Sequence, residues 1–318
     1  MKCLVTGSTG FIGRATCEAL TAAGHDVTCL ARQRLPGATP CVVHDLRNPL
    51  PAALSLEKYD VVLHMAGIAH QRAPAARHVA VNESATIALA ERAARDGVSR
   101  FVFLSSVKAM GPPGATPREE ASLATPVGAY ATSKRHAELA LTRVAAESRM
   151  ELAILRPAPV YGPGIAGNLA TLVTWVRRGL PLIPDAGARS MVSREDLVRL
   201  LSALVSDAAL TLPSGGVTWN VTDGEAYSTR RLMLALAAAM QRSAPTTLQP
   251  LTVWRLLGAC ADLRRGVAPG TTAAALLGTE LYASQAVCNA TGWRPRQRFE
   301  DVAPAIVRAA AADAAAAG

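Results

Sequence analysis

This sequence has few aromatic residues and no long apolar run. Phe, Trp and Tyr make up only 4% of its 318 residues. Its apolar stretches fall short of the roughly 18 to 20 residues that span a membrane. Near the N-terminus, Thr6–Gly10 interrupts any signal-peptide core. We therefore expect a soluble, cytoplasmic protein without membrane insertion.

Runs of basic residues are also missing, although the chain is basic overall. With 33 Lys and Arg against 24 Asp and Glu, the formal charge is +9, which suits an anionic partner. The basic residues are dispersed and no aromatic residues alternate with them, whereas nucleic-acid-binding proteins typically carry a concentrated basic patch. The composition therefore predicts no nucleic-acid partner, and acidic lipid and a phosphorylated small molecule are the anionic partners that stay open.

The six cysteines do not form a metal-binding pattern. No two of them lie two residues apart, and no histidine pair accompanies them at the spacing of a zinc site. Four fall in the apolar segments of the first 45 residues, where a reduced cysteine packs as a small core residue. The sequence thus predicts no metal and a reducing compartment.

The first half of the chain alternates short β-branched runs with helical stretches. Helical patterns cover 12–23, 75–96 and 128–149. The predicted strands, nearly continuous in apolar residues, are 2–7, 26–31, 41–46, 60–67, 100–106 and 151–162. This alternation predicts an α/β fold with a Rossmann-type, doubly wound parallel sheet that helices cover on both faces. In such a fold the ligand binds beyond the carboxyl ends of the strands.

The pattern changes after about residue 163, where proline and glycine become frequent. Short strands there separate the predicted helices at 193–206, 228–241 and 249–264. We therefore predict a Rossmann domain over 1–162 and a smaller, mixed α/β lobe over 163–318 that mainly binds substrate.

Three glycines follow the first predicted strand within seven residues: Gly7, Gly10 and Gly13. Glycine loses the most conformational freedom on folding, so such a cluster needs a reason. Between a strand and a helix it is typical of a dinucleotide site. The first glycine forms the turn, the second lets backbone approach the pyrophosphate, and the third lets the helix pack on the strand. The N–H groups at the start of the helix then bind the phosphates.

The end of the second predicted strand indicates which dinucleotide binds. An acidic residue there would bind the adenosine ribose 2′-hydroxyl of NAD, but Ala31 occupies that place and Arg32 follows, with Arg34 two residues later. A guanidinium suits the 2′-phosphate of NADP. NADP(H) is therefore favoured, with NAD(H) as the alternative. Asp45, at the end of the third predicted strand, is the expected contact for the adenine amino group.

Ser106, Tyr130 and Lys134 form a second group of candidate residues. Tyr130 and Lys134 are four residues apart and share one face of a predicted helix, while Ser105 and Ser106 end the fifth predicted strand. A phenol with its ordinary pKa of about 10 is a poor acid–base at neutral pH. A nearby ammonium would stabilise the phenolate and lower that pKa. The serine hydroxyl can hold the substrate oxygen that gains or loses the proton.

Together these motifs resemble the extended short-chain dehydrogenase/reductases, and among them the nucleotide-sugar epimerases, dehydratases and reductases. The resemblance covers nearly the whole chain: TGSTGFIG (6–13), HDL (44–46), HMAG (64–67), Asn82, SSVKAMG (105–111), YATSK (130–134), RPAPVYGPG (156–164), RSMVSREDL (189–197) and GWRP (292–295). It implies Ser106, Tyr130 and Lys134 as catalytic residues, and Ser106, Asn168 and Arg189 as contacts to a UDP-sugar. The implied cofactor contacts are Gly7, Gly10, Phe11, Ile12, Gly13, Arg32, Asp45, Leu46, Met65, Ala66, Gly67, Tyr130, Lys134, Pro157 and Val160.

Three residues depart from the patterns of the related enzymes and reduce the number of reaction types that fit this chain. The 4,6-dehydratases carry an Asp-Glu pair directly after the active-site hydroxyl residue, where this chain has Val107 and Lys108. Met110 stands where epimerases typically have Tyr, and epimerases hold NAD tightly, so a 2′-phosphate site would be unexpected in one. The stretch SSVKAMG most resembles the bacterial 4-reductases that act on UDP-linked 4-keto-6-deoxy-N-acetylhexosamines in surface-polysaccharide pathways.

We therefore favour an NADPH-dependent reduction at C4 of such a sugar. A UDP-hexose or UDP-N-acetylhexosamine 4-epimerase with tightly bound NAD is the first alternative. A non-catalytic, dinucleotide-sensing protein is the second, although a sensor would not need the full Ser–Tyr–Lys set.

Two further expectations concern partners. Homodimerisation through the helix that carries Tyr130 and its neighbouring helix is usual for such folds and is expected by analogy. Segment 251–266 is apolar on one side and basic at its end, so it could lie on an anionic membrane. The favoured interpretation is a core helix whose terminal arginines complement the helix dipole.

Overall fold

Seven strands build the central sheet, six from the first half of the chain and one from the second. The computed structural model describes residues 1–34, 39–69, 73–114, 116–207, 209–243, 250–265 and 270–316. In chain order the strands are β1 (Lys2–Thr6), β2 (Asp26–Ala31), β3 (Cys41–Val43), β4 (Val61–His64), β5 (Arg100–Leu104), β6 (Glu151–Pro157), β7 (Val160–Tyr161), β8 (Val192–Ser193) and β9 (Val217–Val221). β7 and β8 pair with each other in a separate, two-stranded sheet.

The central sheet has the order β3-β2-β1-β4-β5-β6-β9, and every neighbouring pair is parallel. The order reverses between β1 and β4, and at such a point a doubly wound sheet forms its ligand crevice. The predicted Rossmann-type α/β fold is confirmed.

Alternate residues of the strands pack in two separate cores, because successive side chains of a strand point to opposite faces of the sheet. In β1, Cys3 and Val5 belong to one core and Leu4 to the other. In β4, Val61 packs in the core of Cys3, and Val62 packs in the core of Leu4. Both faces of the sheet are apolar, which explains the nearly continuous apolar runs in the sequence.

Helices cover both faces of the sheet, and others pack in the second half of the chain. In chain order the helices are α1 (Phe11–Ala22), α2 (Ala75–His78), α3 (Ala85–Arg95), α4 (Ala129–Ala146), α5 (Asn168–Arg177), α6 (Arg194–Ser206), α7 (Thr229–Ala239), α8 (Leu251–Arg265), α9 (Thr271–Leu277), α10 (Gln285–Thr291) and α11 (Phe299–Ala316). A π-helical segment, Val79–Ser84, joins α2 to α3. On one face α1 and α6 contribute Leu20 and Leu197 to the core, and on the other α3 and α4 contribute Leu89 and Leu141.

The second half of the chain builds a third core, in which Tyr161, Tyr227 and Phe299 are buried. β9 nevertheless pairs with β6 in the central sheet, and its Trp219 packs in the same core as Cys3. The sheet therefore uses residues on both sides of the boundary predicted at 162. The assignment of cofactor binding to 1–162 and of substrate binding mainly to 163–318 stays a prediction.

α8 packs through one face only. Trp254 is buried and its ring centroid lies 5.8 Å from that of Trp175, whereas Leu256, Leu257 and Leu263 are 66%, 50% and 84% exposed. The expected core helix is thus a surface helix with an apolar outer face. Residues 249 and 266, at the ends of the predicted segments, lie outside the described residues. None of the helices in the described part of the chain is long and apolar enough to cross a bilayer.

Candidate active site

The glycine-rich turn between β1 and α1 leaves no room for side chains at two of its three glycines. Gly7 has a φ of +72°, and a Cβ there would lie 2.7 Å from the backbone nitrogen of Ala66. A Cβ on Gly13 would collide with the carbonyl oxygen of Gly7, so α1 approaches β1 this closely only with glycine at position 13. Gly10 caps α1, whose first turn, beginning at Phe11, has no acidic residue. The first N–H groups of α1 can therefore bind an anion.

A cleft of about 270 Å³ opens where β1 meets β2 and β4. It brings together a large part of the predicted cofactor contacts: Gly7, Gly10, Arg32, Asp45, Leu46, Met65, Ala66 and Gly67. Its lining also contains residues that were not predicted as contacts: Ser8, Thr9, Leu30, Ala31, His44, Arg47, Ile68 and Val81. The cleft has the position that the strand order predicts for a ligand.

Asp45 and Arg47 form an ion pair in this cleft. Asp45 lies two residues after the end of β3, and Arg47 Nη2 is 2.5 Å from its Oδ2. Hydrogen bonds from Arg47, with a smaller contribution from the charge of Arg32, lower the pKa of Asp45 to about 2. Arg47 therefore adds a second guanidinium beside Arg32, and no sequence motif pointed to it.

Ser106 and Tyr130 are neighbours in the structure. Ser106 precedes a 3-10 turn, Val107–Met110, and its Oγ accepts a hydrogen bond from Lys108 N at 3.2 Å. Tyr130 lies in the first turn of α4. Burial raises the pKa of Tyr130, and a hydrogen bond with Ser106 opposes that rise. The two hydroxyls that the sequence assigns to the substrate oxygen are thus held together.

Lys134 is buried one helical turn after Tyr130. Its Nζ donates a hydrogen bond to Leu104 O at 2.9 Å and lies 4.5 Å from the ring centroid of Phe103. A Cβ on Gly67 would be 3.3 Å from Nζ, so Lys134 reaches the wall of the cofactor cleft. The sequence predicts that Lys134 lowers the pKa of Tyr130. In the structure that pKa is instead raised, because burial of the phenol outweighs the opposing hydrogen bond with Ser106.

Glu138 is a buried carboxylate on α4, one turn after Lys134. It accepts hydrogen bonds from Ser105 Oγ at 2.6 Å and from Arg156 Nε and Nη2 at 2.9 and 2.6 Å. These contacts tie α4 to the ends of β5 and β6. Burial lowers the pKa of Lys134 to about 8, and the charge of Glu138 limits that fall. The available signal for this residue was Arg156, an arginine within an apolar strand.

Asn82 and His78 complete the buried surroundings of Tyr130. Asn82, in the π-helical segment, accepts a hydrogen bond from Ile68 N at 2.7 Å and donates one to Ser133 Oγ at 3.2 Å. His78 Nδ1 lies 3.3 Å from Asn82 Nδ2, and its ring packs edge-on against Tyr130 with centroids 6.0 Å apart. Asn82 is one of the marks of the family resemblance, whereas no pattern singled out His78.

Several predicted cofactor contacts are not in the lining of the cleft. Phe11 and Ile12 begin α1, Pro157 ends β6, and Val160 begins β7. Gly13 is buried between α1 and the glycine turn. Contacts of these residues with a cofactor stay predictions.

The predicted substrate contacts have different surroundings. Asn168 is exposed at the first residue of α5. Arg189 Nη2 donates a hydrogen bond to Ala275 O at 2.5 Å, and its backbone pairs with those of Tyr227 and Glu280. Burial lowers the pKa of Arg189. A role for both residues in binding a nucleotide diphosphate stays a prediction.

The two positions that follow Ser106 carry no carboxylate of their own. Val107 is buried. Lys108 Nζ lies 2.6 Å from Glu280 Oε1, which also accepts a hydrogen bond from Tyr282 OH at 3.0 Å. Lys108 is thus a cation held by an acid from the second half of the chain.

Comparisons with known proteins agree with this fold. The UDP-glucose 4-epimerase of Vibrio cholerae is 31% identical over 264 residues, which cover 79% of each chain. The 3-diazoavenalumate denitrifying reductase of a Streptomyces species is 32% identical over 276 residues, 81% of this chain and 88% of its own. The structure of UDP-glucuronic acid 4-epimerase from Bacillus cereus, in complex with NAD, has a TM-score of 0.78 at 19% identity, over 98% of this chain and 99% of its own. This last likeness shows the shared fold.

A family match covers the part of the chain that carries the candidate catalytic residues. Residues 3–209 match the model of the NAD dependent epimerase/dehydratase family. This range includes the glycine-rich turn, Ser106, Tyr130 and Lys134. The resemblance stated from the sequence is confirmed: the chain belongs to the NAD dependent epimerase/dehydratase family and is an NAD(P)-dependent enzyme of the extended short-chain dehydrogenase/reductase type.

Proposed function

We propose that this enzyme uses NADPH to reduce the C4 keto group of a UDP-linked 4-keto-6-deoxy-N-acetylhexosamine. The observation that carries the proposal is the pair of guanidinium groups, Arg32 and Arg47, in a cleft where Ala31 replaces the acid that would bind a 2′-hydroxyl. Asp45 offsets one of these charges and leaves the other in excess. A guanidinium binds phosphate through paired, charge-assisted hydrogen bonds, which supports NADP(H) over NAD(H).

The residues present fit a dinucleotide. The glycine turn excludes side chains at Gly7 and Gly13 and leaves the first N–H groups of α1 for the phosphates. At the other wall of the cleft, a Cβ on Gly67 would lie 3.1 Å from Asn82 Oδ1 and 3.3 Å from Lys134 Nζ. Reduced nicotinamide, when bound, supplies the hydride for C4.

In this proposal the three catalytic residues stabilise and then neutralise the negative charge that develops on O4. Ser106 donates a hydrogen bond to O4, and Tyr130 gives O4 its phenolic proton. Lys134, in its buried position, offsets the negative charge left on Tyr130, and that attraction is stronger in a site that excludes water. Positioned proton transfer of this kind contributes roughly 10²- to 10⁴-fold to the rate.

The names of two similar proteins support the substrate, because the Vibrio relative and the Bacillus structure are named as UDP-sugar epimerases. The proposal includes Asn168 and Arg189 as the contacts to the nucleotide diphosphate. Net reduction is supported by the name of the Streptomyces relative, a reductase. Val107 and Lys108, in place of a carboxylate pair, argue against a dehydratase and support a surface-polysaccharide reductase of the kind that SSVKAMG resembles.

A UDP-hexose or UDP-N-acetylhexosamine 4-epimerase with tightly bound NAD is the second candidate. The Vibrio relative, at 31% identity, carries the name of such an enzyme. The same residues serve this reaction. Tyr130 would take the O4 proton as C4 is oxidised and return it after the keto sugar has rotated to present its opposite face.

The proposal also includes the domain assignment of 1–162 and 163–318, a cytoplasmic location and a homodimer through α4. The homodimer is proposed by analogy with related folds. All six cysteines are free thiols, which supports a reducing compartment.

The test is the loss of NADPH absorbance when enzyme is added to a UDP-4-keto-6-deoxy-N-acetylhexosamine. NADH in place of NADPH, and UDP-N-acetylglucosamine in place of the keto sugar, are the comparison conditions. We expect stoichiometric consumption that prefers NADPH. Interconversion of UDP-hexose isomers with NAD co-purifying and without NADPH consumption would make the enzyme an epimerase.

Variants of the two arginines test the cofactor part separately. Arg32→Gln and Arg47→Gln should each raise the KM for NADPH about tenfold or more, the size of one charged hydrogen bond, and leave the KM for NADH unchanged. Arg308→Gln, an exposed arginine on α11, is the control for net charge. Equal increases in the KM values for NADPH and NADH would show that these arginines do not recognise the 2′-phosphate.

A further inference from the structure

Arg194 stands beside the first turn of α1, outside the residues assigned so far. It is the first residue of α6, and its guanidinium carbon lies 5.0 Å from the ring centroid of Phe11, the first residue of α1. Arg194 Nη1 donates a hydrogen bond to Pro163 O at 2.9 Å. Gly162 makes room for the side chain, since a Cβ there would lie 3.1 Å from Arg194 Cβ and 3.3 Å from Phe11 Cζ. These contacts hold the guanidinium between the glycine-rich turn and the segment after β7.

The charge of Arg194 has no acidic partner within the described residues. Its Nε is buried without a hydrogen-bond partner, and none of the ion pairs found there involves it. The two acids that follow it on α6 are engaged elsewhere. Glu195 accepts a hydrogen bond from Gln297 Nε2 at 2.6 Å, and Asp196 is paired with Arg199. A partly desolvated cation without a counter-charge is costly.

The surrounding helices make this position less favourable still for a lone cation. The start of a helix carries a partial positive charge, and Arg194 lies where both α1 and α6 begin. α1 has no acidic residue in its first turn that would offset this charge. An anion at this place would satisfy the guanidinium, the free N–H groups of α1 and the positive end of its dipole together.

We infer that Arg194 binds the pyrophosphate of the dinucleotide from the side opposite the glycine-rich turn. The inference rests on the proposed use of a dinucleotide. The pyrophosphate joins the adenosine half of that cofactor to the nicotinamide half. Arg194 contacts residues near both halves. On one side is Phe11, which directly follows Gly10 of the cofactor cleft. On the other is Pro163, which closely follows the Pro157–Val160 segment that is predicted to lie beside the nicotinamide. Arg194 is thus a cofactor-binding residue contributed by a part of the chain outside the glycine motif.

The experiment compares two ligands that differ in the pyrophosphate: ADP-ribose, which contains it, and adenosine, which does not. Dissociation constants are measured by calorimetry for ADP-ribose and NADPH and by NMR titration for adenosine. Arg194→Gln should raise the dissociation constants of ADP-ribose and NADPH roughly 10- to 100-fold, the range for hydrogen bonds to charged groups. The dissociation constant of adenosine should change by no more than about twofold. Arg194→Lys keeps the positive charge but lacks the planar guanidinium, so its affinity for ADP-ribose should lie between those of the wild type and Arg194→Gln.

Arg308→Gln is the matched control, because it removes one exposed arginine at a distance in sequence from the cofactor motifs. Equal weakening of ADP-ribose and adenosine by both Arg194 variants would make Arg194 a structural tether and overturn the inference. Unchanged ADP-ribose binding would overturn it as well. ADP-ribose binding needs no sugar, so an Arg194-dependent affinity in an enzyme that fails the keto-sugar assay would refute the proposed reaction and support this inference. A wild-type protein that binds no ADP-ribose would refute both.

Discussion

Burial decides what Tyr130 and Lys134 can do. Burial raises the pKa of Tyr130, so its phenol carries its proton throughout the neutral range, as a proton donor to an alkoxide must. Burial lowers the pKa of Lys134 to about 8, which still leaves the amine mostly protonated at neutral pH. The pair therefore holds one transferable proton and one fixed positive charge in the same site.

Tyr130→Phe should reduce turnover by roughly 10²- to 10⁴-fold, because it removes the proton donor and little else. Cofactor affinity should be unchanged, which fluorescence titration with NADPH measures. Tyr59→Phe is the matched control, since the Tyr59 hydroxyl is buried and has no hydrogen-bond partner among the residues that the structure describes, so its loss should cost no activity. Full activity in Tyr130→Phe would exclude the phenol from the mechanism.

The site depends on how whole elements are joined. On α4, Tyr130, Lys134 and Glu138 follow one another at intervals of four residues and so share one face. Glu138 binds Arg156 of β6, which fixes that face against the sheet. Removing one member of such a buried pair costs roughly 3 to 5 kcal/mol, because the other charge is left unpaired. The stability of α4 and the position of Tyr130 are therefore linked.

A second junction, around Asp223, ties the segment between β9 and α7 to β7. Asp223 Oδ2 accepts hydrogen bonds from Tyr161 OH and Tyr227 OH, both at 2.8 Å. Burial raises the pKa of Asp223 from 3.8 to about 6. Because the folded-state pKa lies above the unfolded one, the contribution of Asp223 to stability is complete below about pH 4 and is lost as the pH rises through 6.

Relative to Asp223→Asn, the wild type should therefore lose about 2 kcal/mol of unfolding free energy between about pH 4.5 and 7.5. Urea unfolding of both proteins at the two pH values gives this difference. The variant supplies the control, because it retains every other titrating group. Parallel pH profiles for the two proteins would show that Asp223 does not titrate with a raised pKa.

The central sheet extends beyond the part of the chain that the family match covers. The family match stops at residue 209, but β9 lies beyond it and forms the last strand of the central sheet. Trp219 and Trp293 are buried in the same core as Cys3 of β1. The sheet that carries the cofactor cleft is therefore completed by the part of the chain that the motifs do not cover.

A chain shortened to residues 1–209 should fail to fold. It would expose the edge of β6 and lose buried side chains worth roughly 1.5 to 3 kcal/mol each, against a total stability of about 5 to 15 kcal/mol for a domain. Circular dichroism during thermal unfolding, with the full chain as control, measures this. A cooperative transition near that of the full chain would show that the shorter unit is independent.

Short-range patterns in the sequence are sufficient for much of this architecture. The alternation of strands and helices, the spacing of Gly7, Gly10 and Gly13, and the four-residue interval from Tyr130 to Lys134 all act within one or two elements. Their geometric consequences follow from the periods of strand and helix and from the absence of a glycine side chain. The fold class and the family are therefore properties that the amino-acid sequence determines by itself.

The remaining features of the fold and of the candidate site depend on contacts between residues that are distant in the chain. The pairing of β9 with β6, the ion pair of Glu138 with Arg156, and the placement of Arg194 against Phe11 join residues far apart in the chain. No local period relates such partners, because the packing of helices on the sheet sets which side chains meet. Arg194 within RSMVSREDL reads as an ordinary charged residue at the start of a helix. When α6 packs against α1, this charge lies beside the glycine-rich turn with no acidic partner in the described part of the chain, and only the three-dimensional neighbours show that.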